Sequence, residues 1–339
     1  MINRLTPTFE GNHLFSMNMP HLQVLGARHD WSPDAYLCRR SFVHHEHVIL
    51  AATPPSPPPD DGGDQIHEAQ DLLPVIDLEC LNHDKNNIKL DEACKQWGLF
   101  RLVNHGPSKL LSGTPILTPS GTALKRAPQN INLLEGFNMT LGQLSQFQSQ
   151  FPVLESFRLS LMEYGEHLTR IATTLFEGIA KNLDLKLQPS RSYVAESTGI
   201  VRVYRYPKSS NYNVGLGLEV HTDSSVLSIL NQENEVSGLE VLKDDQWLTV
   251  KPISNTLVVN LGDMMQAISD DKYKSVTHRV KLNNKKQRIS ICYFVFPDED
   301  LEIESSKYRT FTYSEFRAQV QQDNKIAGYK VGLPRFERT

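Results

Sequence analysis

The most informative segment is Glu219-Val-His-Thr-Asp-Ser-Ser225, in which a histidine and an aspartate lie two residues apart. In an extended strand, residues i and i+2 project to the same face, so His221 and Asp223 can bind one metal ion together. A third ligand is available in His278, which follows Asp223 by 55 residues in the run Ser275-Val-Thr-His-Arg-Val280. The pattern predicts a metal site made of two imidazoles and one carboxylate, with His278 on a later strand of the same array.

The identity of the metal depends on what lies beside it. Two histidines and one carboxylate on one side of an ion leave the other positions open, which is typical of non-haem Fe(II) sites that bind a co-substrate and dioxygen. A hydrolytic zinc site can use a similar set. Ten residues after His278, Arg288 and Ser290 are again two apart. Because a planar guanidinium binds a carboxylate through two parallel hydrogen bonds, this pair favours iron with a bound organic acid.

Short runs of β-branched and aromatic residues surround these motifs and predict an antiparallel sandwich or barrel, with a jelly roll as the leading candidate. The eight predicted strands are 200–206, 226–231, 238–242, 246–250, 257–261, 264–268, 276–281 and 287–296. Before them, apolar residues recur at three- and four-residue steps from Leu154 to Leu183. That spacing predicts a long amphipathic helix that packs on a broad, flat surface.

The chain divides into four predicted parts. Residues 1–70 show no sustained periodicity and end in a proline-rich run, which indicates a poorly ordered extension and linker. Residues 71–185 form an N-terminal region that ends with the long helix, 186–300 form the jelly roll, and 301–339 form a C-terminal helix and tail. Between residues 106 and 150 we expect little beyond loops and short turns, because Gly, Pro, Ser, Thr and Gln dominate there.

Composition excludes several classes of function. The 39 acidic residues outnumber the 35 basic ones, so the chain lacks the basic excess of most nucleic-acid-binding domains. No run approaches the roughly 20 apolar residues of a membrane-spanning helix, and no secretory signal is visible. The four scattered cysteines fit a reducing compartment. We expect a cytoplasmic monomer that acts on a small molecule and binds neither nucleic acid nor membrane.

Further motifs extend the pattern and carry a family resemblance. They are Leu73-Pro-Val-Ile-Asp-Leu78, Trp97-Gly-Leu-Phe-Arg-Leu-Val-Asn-His-Gly106 and Leu257-Val-Val-Asn-Leu-Gly-Asp263. In this order, together with the His-x-Asp, the distal histidine and the Arg-x-Ser, they resemble the plant 2-oxoglutarate- and Fe(II)-dependent dioxygenases over about Leu73 to Tyr329. The resemblance implies a mainly β fold with flanking helices, in which a double-stranded β-helix (jelly-roll) core follows an N-terminal α/β region.

The resemblance also implies roles for individual residues. It places Fe(II) on His221, Asp223 and His278. It places the C5 carboxylate of 2-oxoglutarate on Arg288 and Ser290. In Tyr204-Arg-Tyr-Pro207, Tyr206 matches the family tyrosine that helps to hold the co-substrate, whereas Tyr204 replaces the usual asparagine.

The implied activity is hydroxylation of a small organic molecule with dioxygen and 2-oxoglutarate, with ascorbate as an additional reductant. The residues of several motifs most resemble those of gibberellin 2-oxidase-like members of the family. Gibberellin-type hormones are therefore candidate substrates. Flavonoids, alkaloids and auxin are alternatives, as is a member that uses ascorbate without 2-oxoglutarate. The segment after Gly106 is shorter than the family pattern, and the alternative from another class is therefore an inactive jelly-roll binding protein.

Three further features have two interpretations each. Arg205 either faces the organic substrate or points to solvent. Asp263 is interpreted as a turn residue rather than a catalytic one. The cluster His44-His-Glu-His47 resembles a metal site but precedes the proline linker without a partner, which favours a solvated loop.

Overall fold

The architecture is taken from a computed structural model that describes residues 22–25, 73–81, 84–106, 116–119, 134–148, 150–185, 192–195, 199–209 and 215–338. The strands are β1 Leu22–Leu25, β2 Val75–Asp77, β3 Leu99–Val103, β4 Ile116–Pro119, β5 Glu135–Thr140, β6 Ile200–Tyr206, β7 Leu216–His221, β8 Leu227–Asn231, β9 Leu239–Lys243, β10 Gln246–Thr249, β11 Leu257–Leu261, β12 His278–Lys281, β13 Arg288–Val295, β14 Glu302–Ile303 and β15 Phe311–Thr312. The helices are α1 Asp84–Gln96, α2 Leu141–Gln146, α3 Pro152–Leu183, α4 Asp263–Ile268 and α5 Tyr313–Ile326, followed by a 3-10 turn at Leu333–Phe336.

Two sheets form the core. The larger has the strand order β2-β3-β11-β8-β13-β6-β5 and the smaller the order β10-β9-β12-β7. Within them, β2 and β3 run parallel, and the other pairings are antiparallel. Tyr206 and Val258 of the larger sheet share one buried cluster with Leu239 and Val280 of the smaller sheet. The sheets therefore face each other, as the predicted jelly roll requires.

The outer face of the larger sheet is covered by α3. This helix carries thirteen buried residues along its length, which is why its apolar residues recur at helical spacing. At the contact with β13, the hydroxyls of Thr169 and Tyr293 lie 2.7 Å apart. The predicted long helix is confirmed, and its broad packing surface is the sheet that carries Arg288 and Ser290.

One predicted strand was wrong. The run 264–268 forms α4, a short helix that begins at Asp263 directly after β11. Its apolar residues Met264, Met265 and Ala267 are fully buried. A short, mostly apolar run does not by itself distinguish a buried strand from a buried helix, so the pattern could not give the right element.

The expectation of little structure between residues 106 and 150 was also partly wrong. Within this segment the structure has β4, β5 and α2, and β5 extends the larger sheet by pairing with β6. Thr140 is the N-cap of α2 and forms a capping box. Its hydroxyl accepts a hydrogen bond from the Gln143 backbone amide, and the Gln143 side chain accepts one from the Thr140 backbone amide. Residues 107–115 and 120–133 lie outside the described part.

The first 70 residues are described at Leu22–Leu25, which form β1 and pair with β4. The other predicted features of this region, including the proline-rich linker and the cluster from His44 to His47, lie outside the described residues. None of the helices in the described part has the length and apolarity of a bilayer-spanning segment.

Candidate metal centre

Three predicted ligands meet between the two sheets. His221 ends β7, His278 begins β12 directly opposite it, and Asp223 follows in the loop after β7. One side-chain atom from each can be chosen so that all three lie within 4.8 Å of one another. Asp223 Oδ1 lies 3.7 Å from His221 Nε2 and 3.8 Å from His278 Nε2. These separations leave room for one ion bound by all three side chains.

The two imidazoles are oriented by the backbone. Nδ1 of His221 lies 2.6 Å from the carbonyl oxygen of Glu219, and Nδ1 of His278 lies 3.0 Å from that of Val276. Because a carbonyl only accepts, each Nδ1 must carry the proton and donate it. The lone pair of each ring is then on Nε2, the nitrogen that faces Asp223.

The carboxylate of Asp223 is held in the same way. Its Oδ2 accepts hydrogen bonds of 2.7 Å from the Ser228 hydroxyl and from the Asn260 side-chain amide. Its main-chain carbonyl accepts from the amide of Asp263, at the start of α4. Oδ1 is therefore left facing the histidines. Ser228 and Asn260 come from β8 and β11, and the sequence motifs did not reveal them as partners of the site.

The protonation states also suit a metal. Burial, together with the neighbouring His278, lowers the pKa of His221 to about 3. Burial by itself would raise the pKa of Asp223. The two imidazoles and the hydrogen bonds from Ser228 and Asn260 have a larger effect in the opposite direction, and they lower the pKa of Asp223 to about 2. At neutral pH the site offers a neutral imidazole and an ionised carboxylate, which are the forms that bind metal ions.

Arg288 and Ser290 project from β13 into the space beside the three ligands, where Tyr206 of β6 lies opposite Arg288. Arg288 is 1% exposed. Its Nη2 donates to the Gln232 side chain, while Nε and Nη1 are buried without a hydrogen-bond partner among the described residues. A buried guanidinium with two unsatisfied N–H groups is the donor set that a carboxylate requires. The residues therefore fit 2-oxoglutarate at this position.

One cavity joins the ligands to this arginine. Its lining includes His221, Asp223, His278, Arg288, Ser290 and Tyr206, that is, every predicted site residue. Tyr204 and Phe294 line it as well. The guanidinium of Arg288 lies over the Tyr206 ring, 5.2 Å from its centroid, which fixes its direction.

Arg205 does not belong to this cavity. It forms an ion pair with Glu135 of β5 and donates to the Gln287 side chain. Both earlier interpretations of Arg205, a substrate contact and a solvent-facing residue, are replaced by this pairing. Asp263 is the first residue of α4 rather than a turn residue, and it forms a buried ion pair with Lys330.

Comparison with known proteins identifies the family. Residues 197–297, which contain all the predicted ligands, match the model of the 2OG-Fe(II) oxygenase superfamily. Gibberellin 2-beta-dioxygenase 6 of Oryza sativa subsp. japonica is 32% identical over 307 aligned positions, covering 78% of this chain and 84% of that protein. The chain belongs to the 2OG-Fe(II) oxygenase superfamily. It is an Fe(II)- and 2-oxoglutarate-dependent dioxygenase that acts on a small molecule, with a double-stranded β-helix core.

Solved structures agree with this fold. The rice dioxygenase for auxin oxidation superposes with a TM-score of 0.64 at 24% identity, covering 78% of this chain and all of that one. JOX2, solved with 2OG, Fe and JA, gives a TM-score of 0.62 at 27% identity, and the superposition covers 74% of this chain and 85% of that one.

The alignment with the gibberellin dioxygenase spans 307 positions, whereas 78% of this chain is about 264 residues, so some aligned positions have no residue of this chain. The predicted short segment after Gly106 stays a prediction, since most of it lies outside the described residues.

Proposed function

We propose that this dioxygenase oxidises a small organic acid of the plant-hormone type, with gibberellins as the first candidates. In this proposal His221, Asp223 and His278 bind Fe(II), and Arg288 and Ser290 bind the C5 carboxylate of 2-oxoglutarate with help from Tyr206. The observation that carries these roles is the convergence of three ligand atoms within 4.8 Å beside a buried guanidinium with two unpaired N–H groups.

Once bound, Fe(II) and 2-oxoglutarate would supply the oxidising chemistry, in which one oxygen atom of dioxygen would enter succinate as carbon dioxide leaves and the other would enter the organic substrate. The protein holds the ligands in a fixed geometry, directs the co-substrate carboxylate through Arg288 and encloses the reaction between two sheets. Ascorbate as an additional reductant, the monomeric state and the cytoplasmic location stay predictions from the sequence.

A second guanidinium supports an acidic substrate. In β6, Arg202 pairs in register with Cys292, just as Tyr204 pairs with Ser290. Directly opposite residues of an antiparallel pair project to the same face, and both Cys292 and Ser290 line the cavity. Arg202 therefore points to the cavity side of the sheet, whereas its neighbour Arg205 points away.

Within the described residues, the carboxylate that acts on Arg202 is that of Asp223, which helps to raise the pKa of the guanidinium without forming an ion pair with it. The Arg202 guanidinium stacks on the ring of Phe294, a cavity-lining residue, at 4.5 Å from the centroid. Its Nε is buried without a hydrogen-bond partner, and no carboxylate within the described residues forms an ion pair with it. A partly buried charge in this state favours an anionic ligand. Gibberellins, auxin and jasmonate are all carboxylic acids, so Arg202 is proposed to bind the substrate carboxylate.

Replacing Arg202 with Met tests this role. We expect kcat/KM for the best acid in a panel of gibberellins, auxin and jasmonate to fall about 100-fold, because loss of one partner from a buried charge pair costs roughly 2–5 kcal/mol. The wild-type enzyme should prefer each acid over its methyl ester, and the variant should lose that preference while keeping its affinity for 2-oxoglutarate.

The matched control is Arg205→Met, which removes the same side chain from the same strand on the opposite face. This control should keep the acid-over-ester preference. An Arg202→Met enzyme that still discriminates between acid and ester as the wild type does would refute the assignment. Absence of turnover with every acid, with 2-oxoglutarate binding intact, would instead favour the binding-only alternative.

A further inference from the structure

The C-terminal tail reaches the metal-binding loop through one buried lysine. Lys330 follows α5, and its side chain is 2% exposed. Its Nζ lies 2.7 Å from Asp263 Oδ2, 2.9 Å from the carbonyl oxygen of Thr222 and 3.3 Å from the Ser224 hydroxyl. An ammonium group has three N–H donors, so these contacts use all of them.

Two of these acceptors flank a metal ligand. Thr222 and Ser224 are the residues immediately before and after Asp223, and the amide of Asp263 donates to the Asp223 carbonyl. The loop is thus held from both sides, by the start of α4 and by Lys330. The ion pair between Lys330 and Asp263 links the two contacts, because it fixes the lysine to the start of α4.

The metal-binding loop and the C-terminal tail are not closely packed where Lys330 joins them. A cavity lies between the loop and the tail, and its lining includes Thr222 and Asp263 on one side and Val331, Leu333 and Pro334 on the other. Among the described residues of the tail, Lys330 is the one whose side chain contacts Thr222 and Ser224 by hydrogen bonds. Without the lysine, the start of α4 would still hold the loop through the Asp223 carbonyl, but Thr222 and Ser224 would lose their contact with the tail and could shift towards the cavity.

The tail itself is firmly anchored. Phe336 is fully buried against Phe311, with ring centroids 4.5 Å apart, and Leu333 is buried nearby. Gly332 has φ +76°, a conformation that L side chains rarely adopt, and it lets the chain turn between Lys330 and the 3-10 turn. Lys330 is therefore presented to the loop from a fixed backbone rather than from a mobile end.

We propose that Lys330 is a positioning residue for the iron site: it fixes the residues on both sides of Asp223, so that the affinity for Fe(II) depends on the C-terminal tail. This inference rests on the proposed assignment of His221, Asp223 and His278 as ligands. Lys330 does not contact the metal in this account. It acts by keeping Asp223 Oδ1 directed at the two histidines.

The test is Lys330→Met, which keeps the length of the side chain and removes its donors. We expect the dissociation constant for Fe(II), measured anaerobically on the full chain, to rise about 10- to 100-fold, the usual effect of losing an outer contact to a metal ligand. Co(II) bound in place of iron should show altered visible bands, because the position of Asp223 changes. A residue with a purely structural role would lower the melting temperature without changing these bands.

Two further variants make the result decisive. Lys325→Met removes an exposed lysine from the last turn of α5 and should bind both metals as the wild type does. If Lys330→Met alone fails to fold, the double variant Lys330→Met/Asp263→Asn leaves no unpaired buried carboxylate and should show the same loss of metal affinity.

Folded Lys330 variants with wild-type Fe(II) affinity and wild-type Co(II) bands would overturn the proposal while leaving the metal site intact. If the wild-type chain itself bound no Fe(II), the proposed ligand assignment would fail, and this inference with it. The two failures are therefore distinguishable.

Discussion

Alanine at His221 or at Asp223 is expected to abolish turnover and to weaken Fe(II) binding by more than about 100-fold, because even outer contacts to metal ligands are worth about 10- to 100-fold in affinity. Each substitution leaves two ligands in a site whose three ligand atoms converge within 4.8 Å. The measurements are 2-oxoglutarate consumption and anaerobic Fe(II) titration, with the fold of each metal-free variant checked by its melting transition.

His167→Ala is the matched control for the histidine. This residue lies on α3 and does not line the cavity that contains the predicted ligands. Its loss should leave Fe(II) affinity unchanged. Full activity in a folded Asp223→Ala protein would show that the carboxylate is not a ligand, and the metal centre would then have to be assigned elsewhere.

Replacing Arg288 with Ala should separate co-substrate binding from metal binding. We expect the dissociation constant for 2-oxoglutarate to rise about 100-fold or more, since removing one partner of a buried charge pair costs roughly 2–5 kcal/mol. Fe(II) affinity should change little, because Arg288 makes its hydrogen bond to Gln232 and not to any of the three ligands.

Arg205→Ala is the control for this prediction, because Arg205 is paired with Glu135 and does not line the cavity. Equal 2-oxoglutarate affinities for the wild type and Arg288→Ala would contradict the assignment of the Arg-x-Ser pair. If Arg288→Ala loses both Fe(II) and 2-oxoglutarate binding, its melting transition will show whether the variant is poorly folded. In that case Arg288→Lys would be measured instead.

Much of the convergence of the predicted site residues could be predicted because the information is local. His221 and Asp223 are two residues apart, as are Arg288 and Ser290, and strand geometry alone places each pair on one face. His278 was a candidate third ligand because it lies in a later predicted strand of the same array, but local spacing does not show which distant strands pair, and the family resemblance supported the choice. The structure places the two histidines opposite each other in register.

Glycines explain two of the missed strands. In β7, Gly217 interrupts the apolar alternation because a Cβ there would lie 2.5 Å from the Tyr206 ring. In β5, a Cβ at Gly136 would lie 2.3 Å from the ring of Tyr204. Both glycines lower the strand propensity of their segments, but packing against the cavity tyrosines requires them. Propensity therefore argues against a strand at positions where the packing of the folded sheet demands glycine.

Arg202 and Lys330 were missed for different reasons. The alternation that places Tyr206 on the cavity face of β6 also places Arg202 on that face and Arg205 on the other, so the signal for Arg202 was present in the sequence. Lys330 lies 108 residues from Thr222, and no local pattern connects them. Its role becomes visible when the tail is seen folded against the loop.

An anaerobic titration of the Fe(II)-loaded full chain with 2-oxoglutarate, followed by visible absorption, tests the metal and co-substrate assignments together. We expect a weak metal-to-ligand charge-transfer band that saturates with 2-oxoglutarate, is absent from His221→Ala and requires far more 2-oxoglutarate in Arg288→Ala. A well-folded wild-type protein that binds Fe(II) but never develops the band would refute the proposed site.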